Sequence, residues 1–370
     1  MDVVRLGIVG SGYMGRTYAH CVRDHNEGVE LAGVTQGSRA PRLAADFGVE
    51  HFPGYEDMLR SEQVDAVLLA TIHKLHAEQT LAAAGYGKHV LVEKPMMTNV
   101  ADCDAMIAAC REAGVTLSVI HTLRYRGVFA RARKLIEGGR IGEVRMVQMN
   151  TLWPLRDPGK PWLRDFDNGG DILDRCSHSF DMLRFLIGDE PVRLFGTVNA
   201  YSAPNWQARN AMAQIRFSRG ASAQVWMSHE LPEPGFPRMK DFVRVWGEKG
   251  MIEAEHFGKL RLASEGDWRD IWEMPEIDFL GDPFEPKRLE AFFVQTQDFV
   301  DSLRYGRPPA VSGEDGRAAI QMIEATHLSH RTGAAVELPL PRSAEGHHFD
   351  GATVERKKVP GSALGPEDPA

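Results

Sequence analysis

A GxGxxG turn between a strand and a helix constrains this chain more than any other feature of its sequence. An apolar run at residues 4–9 leads into the turn at residues 10–15, and a helical pattern covers residues 13–23. In a βαβ unit that binds a dinucleotide, the first glycine allows the tight turn. The second lets a pyrophosphate approach the backbone, the third packs the helix against the strand, and the helix N-terminus faces the phosphates. The residues of this turn expected to bind a cofactor are Gly10, Gly12, Tyr13, Met14 and Gly15.

The same alternation of strand and helix continues over the first 120 residues and predicts a parallel sheet. Apolar strands that alternate with helices are typical of a doubly wound sheet with right-handed crossovers and helices on both faces. The expected strands are 4–9, 29–34, 66–70, 89–92 and 116–120, and the expected helices are 13–23, 40–47, 75–84 and 99–113. We therefore expect an α/β protein whose first domain, residues 1–122, is a Rossmann dinucleotide-binding unit.

The pattern changes near residue 144, where the strands become longer, more alternating and more aromatic. Few helices intervene, which predicts an α+β domain, residues 123–342, with a largely antiparallel sheet that has one open face. The expected strands are 144–151, 192–200, 211–217, 221–229 and 242–246, followed by helices at 288–303 and 316–332. Residues 343–370 are rich in Pro, Gly, Ser and charged residues and are expected to form a mobile tail.

Composition excludes several classes of protein and partner. Hydrophobic residues make up 43% of the 370 residues and charged residues 25%, and the net charge is −8, so a nucleic-acid partner is not expected. Four scattered cysteines without a CxxC pair give no support to a disulfide scaffold or a structural metal site, and they favour the cytoplasm. Strand pattern begins at Val3 and no apolar run is long enough to span a bilayer, so neither a signal peptide nor membrane association is expected.

The end of the second predicted strand bears on the choice between NAD and NADP. A carboxylate at this place usually binds the ribose hydroxyls, but this strand lacks one there, because Glu30 lies at its other end. Without that carboxylate a 2′-phosphate is not repelled, and a serine and an arginine can bind it. The candidates are Gln36, Ser38 and Arg39, with Arg42 one turn later. The pattern favours NADP over NAD, although Ser38 would equally serve as a helix cap.

Glu93-Lys94-Pro95 follows the fifth predicted strand. Because open α/β sheets bind ligands at the carboxyl ends of their strands, Lys94 would project into the ligand crevice. A lysine there can bind a hydroxyl and stabilise a developing oxyanion. A surface lysine in a strand-to-helix turn explains the position equally well.

A second group of polar residues lies on a predicted helix after Gly169-Gly170. Asp174, His178 and Asp181 are spaced by four and three residues, so they share one helix face. A histidine beside a carboxylate at a cleft is suited to accept a proton from an alcohol. A satisfied core histidine and an Asp-His-Asp metal site are the alternatives, and the metal site lacks further ligands.

Together, these motifs resemble the glucose–fructose oxidoreductase / inositol dehydrogenase / MocA-type family over residues 3–342. The resemblance rests on the order of GxGxxG, Glu93-Lys94-Pro95 and the GGxxxDxxxHxxD pattern at residues 169–181. It also includes residues 71–76, 162–164 and 247–253, and Arg124. The resemblance implies an NAD(P)-dependent oxidoreductase that acts on a sugar, an inositol or a similar polyol.

The resemblance also implies roles for individual residues. It places the catalytic lysine at Lys94, the substrate-binding aspartate at Asp174 and the proton-transferring histidine at His178. It makes Lys94-Pro95 a candidate cis peptide, and it implies a homodimer or homotetramer formed through the open sheet face. The further residues expected to contact the cofactor are Thr71, His73, His76, Glu93 and Lys94.

Besides the missing carboxylate at the end of the second strand, one more motif departs from the family pattern, and two other features have alternative explanations. Thr71-Ile72-His73 replaces the usual Thr-Pro-Asn, so His73 either contacts the cofactor or is an ordinary loop residue. Cys176 stands where a small residue is common, and packing is the favoured explanation because no general base is assigned to it. His327 and His330 are expected at a surface or interface rather than at a metal.

The leading hypothesis is therefore reversible hydride transfer between nicotinamide and a sugar or polyol carbon. Residues expected to line the substrate pocket with Asp174 and His178 are Arg124, Tyr125, Trp153, Trp162 and Arg164. Two rivals stay open. One is glycoside cleavage through transient oxidation by a tightly held NAD, and the other is a non-catalytic dinucleotide or sugar sensor.

Overall fold

A computed structural model of the chain describes residues 2–154, 168–201, 208–236 and 241–340. Three predictions fall outside these ranges: the pocket roles of Trp162 and Arg164, and the mobile tail at residues 343–370. None of the described helices combines the length and the apolar character needed to cross a membrane.

The N-terminal part of the described chain forms a six-stranded parallel sheet in the order β3-β2-β1-β4-β5-β6. Its strands are β1 (Val4–Val9), β2 (Val29–Thr35), β3 (Glu50–His51), β4 (Ala66–Leu69), β5 (His89–Val92) and β6 (Leu117–Val119). This is the strand order of the Rossmann fold, and ligands bind where that order reverses, between β1 and β4. The prediction of a doubly wound parallel sheet is confirmed, and β3 is the strand that the sequence pattern missed.

Helices cover this sheet because its strands are apolar on both faces. The helices that follow the strands are α1 (Tyr13–Asp24), α2 (Ala40–Phe47), α3 (Tyr55–Arg60), α4 (His76–Gly85) and α5 (Val100–Glu112). All four residues of β4 are buried, as expected of a strand with helices on both sides. Helix α6 (Gly127–Glu137) then leads to the second sheet.

Nine strands of the described chain form the second sheet, in the order β14-β13-β12-β11-β7-β10-β9-β8-β15. Its strands are β7 (Val144–Pro154), β8 (Pro191–Asn199), β9 (Asn210–Phe217), β10 (Ser222–Leu231), β11 (Phe242–Gly247), β12 (Gly250–Glu255), β13 (Lys259–Ser264), β14 (Asp267–Glu273) and β15 (Val336–Glu337). Every neighbouring pair is antiparallel except β7 and β10, which run parallel at the centre. The sheet is therefore largely antiparallel, as predicted, and is mixed in detail.

One face of the second sheet packs on α7 (Gly170–Ile187), which contacts β7 and β10. The other face carries partly exposed apolar side chains, which share that face because their positions pair across neighbouring strands. They are Met146, Phe195, Met212, Trp246 and Met251, each 37–48% exposed.

Helix α8 (Pro286–Tyr305) returns to the first sheet after the chain has completed most of the second. Phe299 and Val300 of α8 are fully buried in one cluster with Leu6, Ile8 and Tyr18. Helix α9 (Gly313–Thr332) packs on α7 and β8. The core beneath the glycine-rich turn therefore contains side chains from both ends of the described chain.

Candidate active site

The three glycines of the turn after β1 meet different surroundings. Gly10 has φ +111°, and a Cβ atom there would lie 2.5 Å from the carbonyl oxygen of Ala70. A Cβ on Gly15 would overlap the carbonyl oxygen of Gly10. At Gly12, however, the nearest atom to such a Cβ would be Nη2 of Arg39, at 3.9 Å. The outer glycines are required by packing, whereas Gly12 borders open space.

This open space fits a dinucleotide pyrophosphate. Gly12 is the N-cap of α1 and has no side chain to cap it, so no N-cap side chain occupies the first amides of the helix. The Arg39 guanidinium lies at the edge of the same space. Tyr13, at the first position of α1, is 52% exposed, and its ring stacks on Phe284 at 5.9 Å.

The end of β2 holds polar groups in a chain of hydrogen bonds. Gln36 has φ +61°, and its Oε1 accepts a bond of 2.7 Å from Nε2 of Gln79. Oε1 of Gln79 in turn accepts a bond of 2.6 Å from the Thr71 hydroxyl. Ser38 and Arg39 are exposed beyond them, and Arg39 rather than Ser38 is the N-cap of α2. The structure thus joins Gln36 to Thr71 through Gln79, a residue that sequence analysis missed.

The Glu93-Lys94-Pro95 turn is held from three sides. The Lys94-Pro95 peptide is cis, as the resemblance implied. Oε1 of Glu93 accepts a bond of 2.7 Å from the Tyr18 hydroxyl, and Oε2 accepts a bond of 3.0 Å from the Lys94 amide. Nδ1 of His76 donates to the Pro95 carbonyl oxygen at 3.0 Å. Burial raises the pKa of Glu93, against the opposing effects of Lys94 and Tyr18.

Lys94, which follows β5, forms an ion pair with Asp174 of helix α7. Nζ of Lys94 lies 2.7 Å from Oδ1 of Asp174 and 2.9 Å from the Asp174 carbonyl oxygen. The side chains are 15% and 3% exposed, so the pair is shielded from bulk water. Nε of Arg175 lies 3.7 Å from the other carboxylate oxygen. A cation and a carboxylate are therefore held at the carboxyl end of β5, where the fold binds ligands.

His73 is buried against the same carboxylate. Its Nε2 lies 3.9 Å from Oδ1 of Asp174, and its Nδ1 donates to the carbonyl oxygen of Asn168 at 2.9 Å. The Asn168 side chain also accepts a bond of 3.2 Å from the Lys74 amide. Burial lowers the pKa of His73 to about 3, so the imidazole is neutral near pH 7. His73 thus ties the first sheet to the start of α7.

His178 lies one helical turn after Asp174 and is half-buried. Its Nδ1 is buried and has no hydrogen-bond partner among the described residues. Burial, and then the charge of Lys94, hold the pKa of His178 well below its usual value. The neutral imidazole can accept a proton, and Nε2 is the ring nitrogen left to reach a ligand.

Arg124 and Tyr125 are engaged elsewhere. The Arg124 guanidinium binds the Asp181 carboxylate through Nε, at 2.9 and 3.1 Å, and through Nη2, and it also binds Asp315 at 3.0 Å. The Tyr125 hydroxyl donates to Asp298 of α8 at 3.1 Å. Substrate contact by either residue stays a prediction, and these bonds do not favour it.

Trp153 lies half-buried at the end of β7, and the Arg175 guanidinium is 5.4 Å from its ring centre. Trp153 therefore lies near Arg175, the neighbour of Asp174 along α7, and its place in a substrate pocket stays a prediction. Cys176 is fully buried, and burial raises its pKa to about 12, in agreement with a packing role. Within the described ranges, no group of three or more His, Cys, Asp or Glu side chains is arranged to hold a metal ion.

Comparisons with known proteins give the same picture. Residues 4–121 match a family model described as an oxidoreductase family with an NAD-binding Rossmann fold, and residues 129–253 match the GFO/IDH/MocA C-terminal domain. The chain is 27% identical to the myo-inositol 2-dehydrogenase of Thermotoga maritima, over 90% of this chain and 98% of that protein. It is also 27% identical to the scyllo-inositol 2-dehydrogenase (NAD(+)) of Bacillus subtilis, over 93% and 98%.

A solved structure of similar fold is the aldose-aldose oxidoreductase from Caulobacter crescentus complexed with glycerol. It superimposes with a TM-score of 0.79 and 26% identity, over 91% of this chain and all of that one. The likeness therefore extends over both sheets.

Proposed function

Because the chain belongs to the GFO/IDH/MocA family of oxidoreductases with an NAD-binding Rossmann fold, we propose that it transfers a hydride between nicotinamide and a carbon of a sugar, an inositol or a related polyol. The observation that carries this proposal is the 2.7 Å ion pair between Lys94 and Asp174, with His178 one turn away. Inositol dehydrogenases among its relatives support the substrate class.

Each polar group of the site has a chemical task in this reaction. When bound, the nicotinamide supplies the hydride chemistry. In the oxidation direction, neutral His178 accepts the proton of the reacting hydroxyl. The Lys94 ammonium stabilises the negative charge that develops on that oxygen, and Asp174 orients the hydroxyl by accepting a hydrogen bond. Trp153 offers an aromatic face to the apolar side of the sugar.

This mechanism can be tested by mutating His178, which accepts the hydroxyl proton, and Lys94, which stabilises the negative charge on the oxygen. Lys94→Ala and His178→Ala should each lower kcat by about 10²–10⁴-fold, because general-base and oxyanion contributions have that size. The cofactor should still bind to both variants, since the pyrophosphate cradle is unchanged. Matched controls are Lys134→Ala, at an exposed position of α6, and His330→Ala on α9. Near-wild-type turnover in either site variant would remove that residue from the mechanism.

The substrate and the preferred cofactor can be found in one experiment. NAD⁺ and NADP⁺ are titrated into the protein, and polyols are then screened with the preferred cofactor in its oxidised form and ketosugars with its reduced form. Reduced cofactor that accumulates in proportion to the substrate used supports the dehydrogenase. Cofactor that co-purifies and is not consumed would instead support glycoside cleavage by transient oxidation. Tight cofactor binding without turnover on any substrate would support a sensor.

NADP is the proposed cofactor, with NAD as the alternative. Strand β2 ends without a carboxylate, and exposed Ser38 and Arg39 follow it. The Arg39 guanidinium also lies beside the glycine-rich turn. A positive group at this corner attracts a 2′-phosphate.

Assembly, domain division and location are further parts of the proposal. The open face of the second sheet is proposed to form a homodimer or homotetramer interface, because its five partly exposed apolar side chains lie on one surface. Multi-angle light scattering of Met212→Glu, against the wild-type protein, tests this, since the buried charge should shift the assembly towards monomer. Residues 1–122 are proposed to bind the cofactor and residues 123–342 the substrate, in the cytoplasm.

A further inference from the structure

His121 lies next to the candidate site but has no role in the mechanism above. It follows β6, and the amide of Ile120 donates to the Val92 carbonyl at 2.8 Å, so His121 lies near the end of β5. The residue is 1% exposed. Neither ring nitrogen has a hydrogen-bond partner among the described residues. Buried polar groups usually have partners, so two such nitrogens in one ring indicate a function other than packing.

Two polar side chains of α7, His178 and Asp181, lie close to the His121 ring. Its ring centre is 6.3 Å from that of His178, with the rings at 71°. Its Nε2 lies 3.8 Å from Oδ1 of Asp181, which shares the helix face of His178. His121 therefore lies close to both the general base and a carboxylate three residues further along α7.

Burial lowers the pKa of His121 and keeps its resting ring neutral, and Asp181 favours placing the one ring proton on the nitrogen that faces the carboxylate. Arg124 holds that carboxylate in a bidentate ion pair, so its position is fixed. The other charged groups that act on His121 are Arg124 itself, Asp315 of α9 and Lys94 after β5. Asp181 is the nearest of the carboxylates and faces Nε2, which leaves Nδ1 of His121 as a proton acceptor.

We propose that His121 is a positioning residue that fixes the tautomer of His178 and accepts positive charge from it; this rests on the base role proposed above for His178. His121 keeps its own proton on Nε2, towards Asp181. Its Nδ1 lone pair accepts a hydrogen bond from Nδ1–H of His178, across a gap that one water molecule spans. Nε2 of His178 is thereby left unprotonated and faces the substrate.

The proton balance of this relay is simple. As the substrate O–H bond breaks, an N–H bond forms at Nε2 of His178. The Nδ1–H proton of His178 then passes to the bridging water, which donates one of its own protons to Nδ1 of His121 and is left unchanged. His178 returns to neutral, and the positive charge rests on His121 opposite Asp181. The steps run in reverse when a carbonyl is reduced.

His121→Phe tests the relay because it keeps a buried ring and removes both nitrogens. In polyol oxidation kcat should fall by about 10–100-fold, less than the loss expected from removing the base itself, while KM changes by less than about twofold. The acid limb of the kcat profile should move to lower pH by about one unit, since His178 then carries the positive charge without Asp181. His121→Gln, whose amide can accept from His178 and donate to Asp181, should recover part of kcat but keep the shifted limb.

A matched control is His256→Phe, which removes another buried histidine beside a carboxylate, since Nδ1 of His256 lies 3.0 Å from Asp241. Thermal stability should fall in this control while the acid limb stays in place. The proposal is overturned if His121→Phe retains kcat within twofold with an unmoved limb, or if the control moves the limb equally.

Wild-type protein gives a test that does not depend on the folding of a variant. Nitrogen-15 histidine spectra should show His178 protonated at Nδ1 and His121 at Nε2, and His178 protonated at Nε2 would contradict the relay. His178→Ala separates the two proposals. Near-wild-type kcat in that variant refutes the base role itself, whereas its loss together with a wild-type profile in His121→Phe refutes the relay alone.

Discussion

Replacing Gly12 with alanine asks whether the open space above the glycine-rich turn receives a pyrophosphate. In the protein alone the new Cβ would meet only Nη2 of Arg39, at 3.9 Å. The backbone at Gly12, with φ −74° and ψ −168°, is accessible to alanine. We therefore expect the free energy of unfolding to change by less than about 1 kcal/mol.

In contrast to stability, the affinity for the cofactor should fall clearly in Gly12→Ala. A methyl group placed where backbone and ligand approach closely costs about 1–3 kcal/mol as an overpacked contact. At about 1.4 kcal/mol for each tenfold change in Kd, this predicts a loss of affinity of about 5–140-fold. The matched variant is Gly15→Ala, whose Cβ would overlap the backbone of Gly10. Gly15→Ala should lose stability before any ligand is added.

Isothermal titration with NAD⁺ and NADP⁺ gives the affinities, and thermal melts with and without cofactor give the stabilities. Wild-type protein at a cofactor concentration of 100 times Kd should gain about 2.7 kcal/mol, and Gly12→Ala should gain much less. An unchanged Kd in Gly12→Ala would refute the placement of the pyrophosphate. Equal loss of stability in both variants would refute the difference between the two glycines.

Arg39→Ala should weaken NADP⁺ binding by about tenfold, which is the size of one exposed charge-assisted contact. NAD⁺ binding should stay within about twofold. Equal loss of affinity for both cofactors would instead place Arg39 at the pyrophosphate. Stability should also depend on His73, because burial lowers its pKa in the folded state to about 3. The stability that depends on a neutral His73 is fully present above the unfolded pKa of about 6.5 and is lost as pH falls towards 3. At pH 5 the free energy of unfolding should therefore be about 2 kcal/mol lower on account of His73. Urea unfolding at pH 7 and 5 should show a smaller pH effect in His73→Asn, and equal slopes in the two proteins would contradict this assignment.

Much of the first sheet could be predicted because its signals are local. The β5 strand and α2 have the predicted bounds, since apolar runs and glycine turns delimit them. Strand β3 was missed because two exposed residues carry no apolar pattern. In the second sheet, β7 and β10 are distant in sequence, and a parallel pairing between them leaves no local turn as a signal.

In the candidate site, too, local features could be predicted and contacts between distant segments could not. The spacing of Asp174 and His178 predicted a shared helix face, because helical periodicity is local. It did not predict that His73 would face Asp174, because their separation of about a hundred residues is closed only by the packing of two sheets. Gln79 and His121 were missed for a related reason: their roles depend on which groups surround them, and a single polar residue in a helix or after a strand has no periodic signature.

The packing of α8 on the first sheet determines how late in synthesis that sheet can complete its core. Phe299 and Val300 complete the cluster that contains Leu6 and Ile8. A ribosome adds about 5–20 residues per second, so the first strand is made well before the side chains that cover it. Until residue 300 has emerged, the nascent cofactor-binding sheet exposes an apolar patch. A chaperone that binds such patches would thus meet this chain for most of its synthesis, and the part that binds dinucleotide would be among the last to mature.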